Sequence, residues 1–276
     1  MRNALACSTS AEQQNTVICL HSSAGSPRQW QSLGERLAGR YRVVSPGLIG
    51  YSDGPPWPGD RPLSLDEEAA WIERWLDGAG APVHLVGHSY GGAVALKLAQ
   101  RRPDRVRSLV VYEPVLFRLL TGDALTEILA LAGAAEQGCQ AGDPAAAART
   151  FVDYWSGQGT WRQMPAAQQG GVTQRMHKVV AEFQALFSDG TPASGYARLS
   201  MPILFLSGTL TRAPTARIAR VVQSFMPGAS RIEIPGLGHM GPLTHPDAVN
   251  SLIALFLESQ QRDSGAQRQA ELAQAA

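Results

Sequence analysis

The sequence predicts an α/β fold: a mostly parallel, twisted sheet flanked by helices, with one inserted helical segment. Three observations carry this. Short runs rich in Val, Ile and Leu recur along the chain, each bounded by Gly, Pro or Ser. Helix-length amphipathic segments lie between them. One long stretch, 115–199, contains no such run. Strand-like and helical segments in alternation imply parallel strands joined by crossover helices. Continuous apolar runs imply strands buried on both faces.

The elements follow in order. TVICLHS (16–22) is the first strand. Residues 28–38 carry Trp30, Leu33 and Leu37 at helical spacing, and YRVVSP (41–46) is the second strand. SLDEE opens a helix over 64–77, with a serine cap, acids in the first turn, then Trp71, Ile72, Trp75 and Leu76. VHLVGHS (83–89), a helix over 90–102 and RSLVVYEP (107–114) come next. The strand-free stretch is rich in Ala and Gln and predicts helices over 123–138, 143–155 and 165–187. PILFLSG (202–208), a helix over 215–226, SRIEIPG (230–236) and a Pro-led helix over 246–258 complete the pattern. The expected organisation is a core of 1–114 with 200–276 and a helical cap of 115–199. From 260 onward the chain is polar and low in complexity, and is expected to fray. Little sequence precedes Thr16, so one sheet edge is expected to stay open for pairing.

The length of 276 residues allows one large domain or two small ones. A formal net charge of +1 sets up no global field toward nucleic acid or a membrane, and no basic run is interleaved with aromatics. No run approaches the length of a membrane span, and MRNALACSTSA has too short an apolar piece for a secretory leader. Cys7, Cys19 and Cys139 are scattered and odd in number, which argues against a disulfide framework or a metal site. They are expected as reduced thiols, Cys19 within a strand, in a cytoplasmic protein.

The strongest motif is GHSYG, 87–91. It matches G-x-S-x-G, follows a strand and opens a helix. A sharp turn at that junction lifts a serine hydroxyl out of the sheet, and the two glycines let the backbones cross. A second Gly-rich loop, PGLGHMGPLTHP (235–246), follows the last strand and offers His239 as a general base.

On these motifs the chain resembles the α/β-hydrolase superfamily, from about Thr16 to Glu258, in its serine-nucleophile, capped form. The resemblance implies Ser89 as nucleophile and His239 as base. It implies the backbone N–H of Tyr90 and of Ser23, or of Ser22, as oxyanion-hole donors. The loop HSSAGSPRQW (21–30) has His21-Ser22-Ser23 where the family has His-Gly. His21 is expected to order that loop, His84 to be a core residue, and His177 and His245 to lie on a helix face and in a loop. No dinucleotide fingerprint or metal cluster appears in the sequence, so no cofactor or metal is expected. A serine in this place argues against the dehalogenase and epoxide-hydrolase branches, which carry an aspartate there.

The family's usual acid follows the strand PILFLSG, in the segment SGTLTRAP (207–214), where this chain has Thr211. From Gly190 to Arg231 there is no Asp or Glu. Glu113, at the end of the preceding strand, is the expected acid. The alternatives are a pairing of Glu113 with an arginine such as Arg118, a Ser89–His239 diad, an acid from elsewhere such as Asp123, and an inactive site. The expected pocket residues are Ser22, His88, Trp155, Trp161, Met164 and Met240, with Phe187 a further candidate. The expected activity is hydrolysis of a small or medium uncharged carboxylic ester or lactone by a monomer or homodimer. Carbon–carbon bond hydrolysis of a diketone-like substrate, and ligand binding without catalysis, are the other two readings.

Overall fold

The computed structural model describes the backbone of residues 15–59 and 61–275, and side chains through Arg262. Cys7 and the opening MRNALACSTSA lie outside the described residues. Six strands form one sheet in the order β2-β1-β3-β4-β5-β6, every neighbouring pair parallel. They are β1 (Asn15–Leu20), β2 (Tyr41–Val44), β3 (Val83–His88), β4 (Val106–Tyr112), β5 (Ile203–Gly208) and β6 (Ser230–Ile234). α1 (Gln31–Leu37), α2 (Leu65–Asp77) and α3 (Tyr90–Arg101) connect the first four strands. Between β4 and β5 the chain is helical: α4 (Gly122–Gln140), α5 (Pro144–Ser156), α6 (Thr160–Gln163), α7 (Ala166–Ser188) and α8 (Ala193–Tyr196). α9 (Ala213–Phe225), α10 (Gly241–Thr244) and α11 (Pro246–Ala275) complete the chain.

Strand alternation sorts the core into two layers. Val17, Cys19 and Val86 face one side, against Leu33 and Leu37 of α1 and Val249, Ile253 and Leu257 of α11. Ile18, Leu20 and Leu85 face the other, against α2 and α3. β3 is buried at all six positions, as its unbroken apolar run predicts. β6 is not: its pattern is mostly exposed, because it forms an edge and packs on one neighbour only. β2 forms the other edge of the described sheet. The Ser64 cap is a full capping box, with Ser64 Oγ accepting from Glu67 N–H and Glu67 reaching back to Ser64 N–H.

α11 runs as backbone helix to Ala275, past the expected limit at 258. The extension is rich in Ala and Gln, both good helix formers. α6, α8 and α10 were not anticipated; each is a single turn of four residues, too short to carry a periodic signal. Cys19 and Cys139 are free and buried, and burial pushes both thiols up from their ordinary range. Among the described residues no helix is long and apolar enough to cross a membrane, and no cluster of His, Cys, Asp and Glu is placed to hold a metal ion.

Candidate active site

The turn from β3 to α3 places Ser89 in a left-handed conformation, φ 56° and ψ −118°. Such a backbone costs a non-glycine residue on the order of 1–3 kcal/mol and persists only where its surroundings hold it. They do so here. Ser89 N–H donates to the Tyr112 carbonyl at 3.0 Å, and the Ser89 carbonyl accepts from Ala93 and Val115. The flanking glycines are needed for close approach. A Cβ on Gly91 would sit 2.4 Å from the carbonyl oxygens of both Leu20 and His21, and one on Gly87 would sit 2.5 Å from the Gly91 carbonyl oxygen.

Three side chains from three separate segments meet at this turn. His239 Nε2 lies 2.9 Å from Ser89 Oγ, and His239 Nδ1 lies 2.8 Å from Glu113 Oε2. All three are buried, Glu113 to within 1 % and His239 to within 4 % exposure. With Nδ1–H donating to the carboxylate, Nε2 is left as acceptor for the serine hydroxyl. Glu113 is itself held at both oxygens. Gly208 N–H donates to Oε1 at 2.9 Å, and the Thr211 hydroxyl donates to Oε2 at 2.7 Å. Glu113 has φ 43°, a second strained residue in the group, and its N–H bonds the Leu206 carbonyl at 3.0 Å. Its hydrogen-bond partner is His239 rather than Arg118, and Asp123 is exposed at the start of α4.

The loop after β1 faces the same serine. Ser22 N–H and Oγ both donate to Gln29 Oε1 at 3.1 Å, which leaves Ser22 unavailable as an oxyanion donor. Among the described residues no hydrogen-bond partner is found for the N–H of Ser23 or of Tyr90. His21 is buried and bonds within its own loop and to Leu48 N–H, as its ordering role predicts.

Two cavities open at Ser89. One, of about 150 Å³, is lined by Ser22, Ser23, Trp155, Met164, His239 and Met240, together with Val172 and Leu243. The other is narrow, about 10 Å³, between Ser23, Phe117, Trp155, Glu182 and Phe183. Trp155 lies across His239, ring centroids 4.2 Å apart. A wider open groove of about 970 Å³ lies between the 50–62 loop and α7 and does not include Ser89.

Two expected pocket residues, His88 and Trp161, and the further candidate Phe187 lie elsewhere. His88 is fully buried behind the site, because the strand period turns its side chain away from the Ser89 face. Burial, then the neighbouring His239, holds it well below the ordinary histidine range, so it is neutral. Its Nδ1 meets Gln29 Nε2 at 3.1 Å and its Nε2 meets the His239 carbonyl at 2.8 Å. Since Gln29 Oε1 is taken by Ser22, its amide donates to Nδ1, and His88 Nε2–H donates to the carbonyl. Trp161 lies on an outer groove, its backbone N–H donating to Asp153 Oδ1 at 2.8 Å, and lines neither cavity at Ser89. Phe187 stacks with Phe183 and packs on Phe117 instead of lining either cavity.

The Gln29–His88 bridge was not read from the sequence, and a lone Gln in a loop carries no signal for it. Thr211 and Gly208 as holders of Glu113 did leave one: an acid-free segment after β5 that keeps a hydroxyl and a glycine.

A model of the alpha/beta hydrolase family matches residues 17–252. The chain belongs to this family. Curated relatives include lipase LipV of Mycobacterium tuberculosis, 34% identical over 114 residues, 41% of either chain. A haloalkane dehalogenase of Agrobacterium fabrum is 32% identical over 114 residues, 41% of this chain and 37% of the relative. The chain thus spans about two fifths of the length of the curated relatives it matches. Among solved structures, MenH from S. aureus superposes with a TM-score of 0.75 at 18% identity, over 92% of this chain and 96% of that one. The enol-lactonase from Burkholderia xenovorans superposes with a TM-score of 0.72 at 17% identity, over 89% and 92%. At these identities the structural likeness speaks to the fold of this hydrolase-family chain.

Proposed function

We propose that this protein hydrolyses small or medium uncharged carboxylic esters, or lactones, through an acyl-enzyme on Ser89. The observation that carries the reading is the unbroken hydrogen-bonded chain Ser89–His239–Glu113, with 2.9 Å and 2.8 Å links. His239 Nε2 takes the proton as Ser89 Oγ attacks the ester carbonyl carbon. The negative oxygen of the tetrahedral intermediate is held by the N–H groups of Ser23 and Tyr90. Glu113 remains ionised, keeps the imidazole in its working tautomer and stabilises the imidazolium. The proton then passes to the leaving alkoxide. Water attacks the acyl-enzyme with His239 again as base, which releases the acid and restores Ser89.

An apolar cavity beside the serine, lined by Trp155, Met164 and Met240, suits an uncharged substrate. Residues 115–199 act in this reading as a cap that supplies Trp155, Met164 and Phe183 and excludes water. One relative is a haloalkane dehalogenase, but a serine at position 89 favours ester chemistry here. Labelling by an organophosphorus probe tests the reading. Stoichiometric modification of Ser89, abolished in Ser89→Ala and His239→Ala, is expected together with turnover of short aryl esters. An unreactive Ser89 in folded protein contradicts it.

A further inference from the structure

α7 carries a buried lysine that is tied to the serine turn and to the loop after β1 at once. Lys178 Nζ donates to Glu68 Oε1 of α2 at 2.9 Å and to Glu182 Oε1, one turn along α7, at 3.0 Å. The Lys178, Glu68 and Glu182 side chains are 5 %, 0 % and 1 % exposed. Burial works against a charge on Lys178, but the two carboxylates outweigh it and hold its pKa above the ordinary lysine value. Each carboxylate then meets a tyrosine. The Tyr90 hydroxyl donates to Glu68 Oε1 at 3.2 Å, and the Tyr90 backbone N–H is one of the two donors given to the oxyanion above. The Tyr51 hydroxyl accepts from Ala24 N–H at 3.0 Å; burial, then the Glu182 charge and a hydrogen bond to it, keep its own proton in place. Lys178 Nζ also lies 5.1 Å from the centroids of both tyrosine rings. Ala24 follows Ser23, the source of the other donor, and is itself strained at φ 54°. Its carbonyl accepts from Arg175 Nη1, again of α7, at 3.2 Å. Both polar backbone groups of Ala24 are therefore held by side chains.

A buried ion cluster adds little net stability over apolar side chains of the same shape. What it fixes is direction, because each carboxylate is held where its donors stand. We propose that Lys178 is a positioning residue for the oxyanion hole, locking both donor segments from α7: Tyr90 through Glu68, and Ser23–Ala24 through Glu182 and Tyr51. The proposal rests on the hydrolase reading above and deepens it, since α7 then sets the hole as well as covering the pocket. Without the ammonium the two carboxylates repel each other, and the tyrosines and the N–H groups tied to them shift. Those N–H groups matter most once the carbonyl oxygen carries charge, so the loss falls on turnover and spares ester binding.

The test compares the full-length wild type with Lys178→Met on a short aryl ester, and measures inhibition of both by an aryl trifluoromethyl ketone. The carbonyl carbon of that ketone bonds Ser89 Oγ, the serine proton passes to His239 Nε2, and the carbonyl oxygen becomes an anion at the hole. The expected result is a fall in kcat of about tenfold to hundredfold with KM nearly unchanged, and a loss of ketone affinity by about the same factor. Should Lys178→Met not fold, as judged by circular dichroism, Tyr51→Phe decides. It leaves the charges alone and removes only the hydroxyl that holds Ala24, and the same paired loss is expected. Full kcat and full ketone affinity in the folded variant overturn the proposal. So does a rise in KM alone, or a loss of kcat that spares the ketone. A wild type that neither cleaves the ester nor binds the ketone sinks the hydrolase reading and this proposal with it, whereas an active wild type with unchanged variants sinks the proposal alone.

Discussion

The Thr211 hydroxyl donates to Glu113 Oε2 at 2.7 Å. The residue at the family's usual acid position thus holds the carboxylate that reaches His239. β4 and β5 are adjacent and parallel, so the loops leaving their ends meet at one place. A carboxylate on either strand end can serve the same imidazole. Glutamate's extra methylene supplies the reach from β4, and Thr211 with Gly208 N–H fixes its two oxygens.

Removing this support should be felt in turnover. Thr211→Val is expected to lower kcat about tenfold with KM nearly unchanged, the effect of one lost hydrogen bond to a charged group. Thr211→Asp in a Glu113→Gln background restores a carboxylate beside the histidine and should recover at least about tenfold of the activity lost. Steady-state kinetics on an aryl ester checks both.

Gln29 joins the loop after β1 to the histidine loop through His88. Gln29→Ala leaves Ser22 N–H and His88 Nδ1 without partners and loosens both loops. The expected loss is roughly tenfold or more in kcat, in line with misplaced catalytic groups. A full-rate Gln29→Ala enzyme would show that the bridge positions nothing.

The glycines of the serine turn admit no side chain. Gly91→Ala would push a Cβ onto two carbonyl oxygens at 2.4 Å, so backbone must move. A destabilisation of roughly 1–3 kcal/mol is expected, measured by urea unfolding, with loss of activity as Ser89 shifts.

Two buried histidines set a pH limit on stability. Burial first, then nearby cations, holds His21 and His84 down to about 4 from an ordinary 6.5. As pH falls through 6.5 the unfolded chain takes up protons that the folded chain refuses until about 4. Stability is therefore full above that window and lost progressively as pH drops through it. His84→Leu should reduce the difference in unfolding free energy between about pH 7.5 and about pH 5. An unchanged difference would show that His84 does not contribute.

The fold was legible because its signals are local. Apolar runs with Gly and Pro ends marked six strands, and Ser64 with Glu67 marked a helix start before any contact was known. GHSYG and the glycine-rich loop around His239 were legible because their chemistry demands particular residues at close spacing. The pocket was less so. His88 and Trp161 have the right character but the wrong direction, which depends on strand phase and on where α6 packs. Gln29 acts through His88, 59 residues further along the chain, and no period or motif announces such a contact.

The measurement that tests the account most directly compares kcat/KM of wild type and Glu113→Gln on a short activated aryl ester, with folding checked by circular dichroism. The account predicts a loss of about 10³-fold or more with the fold intact, because the imidazole loses its orienting charge. Near-equal rates would contradict it: Glu113, for all its two bonds to the β5 loop, would not be the acid of this site.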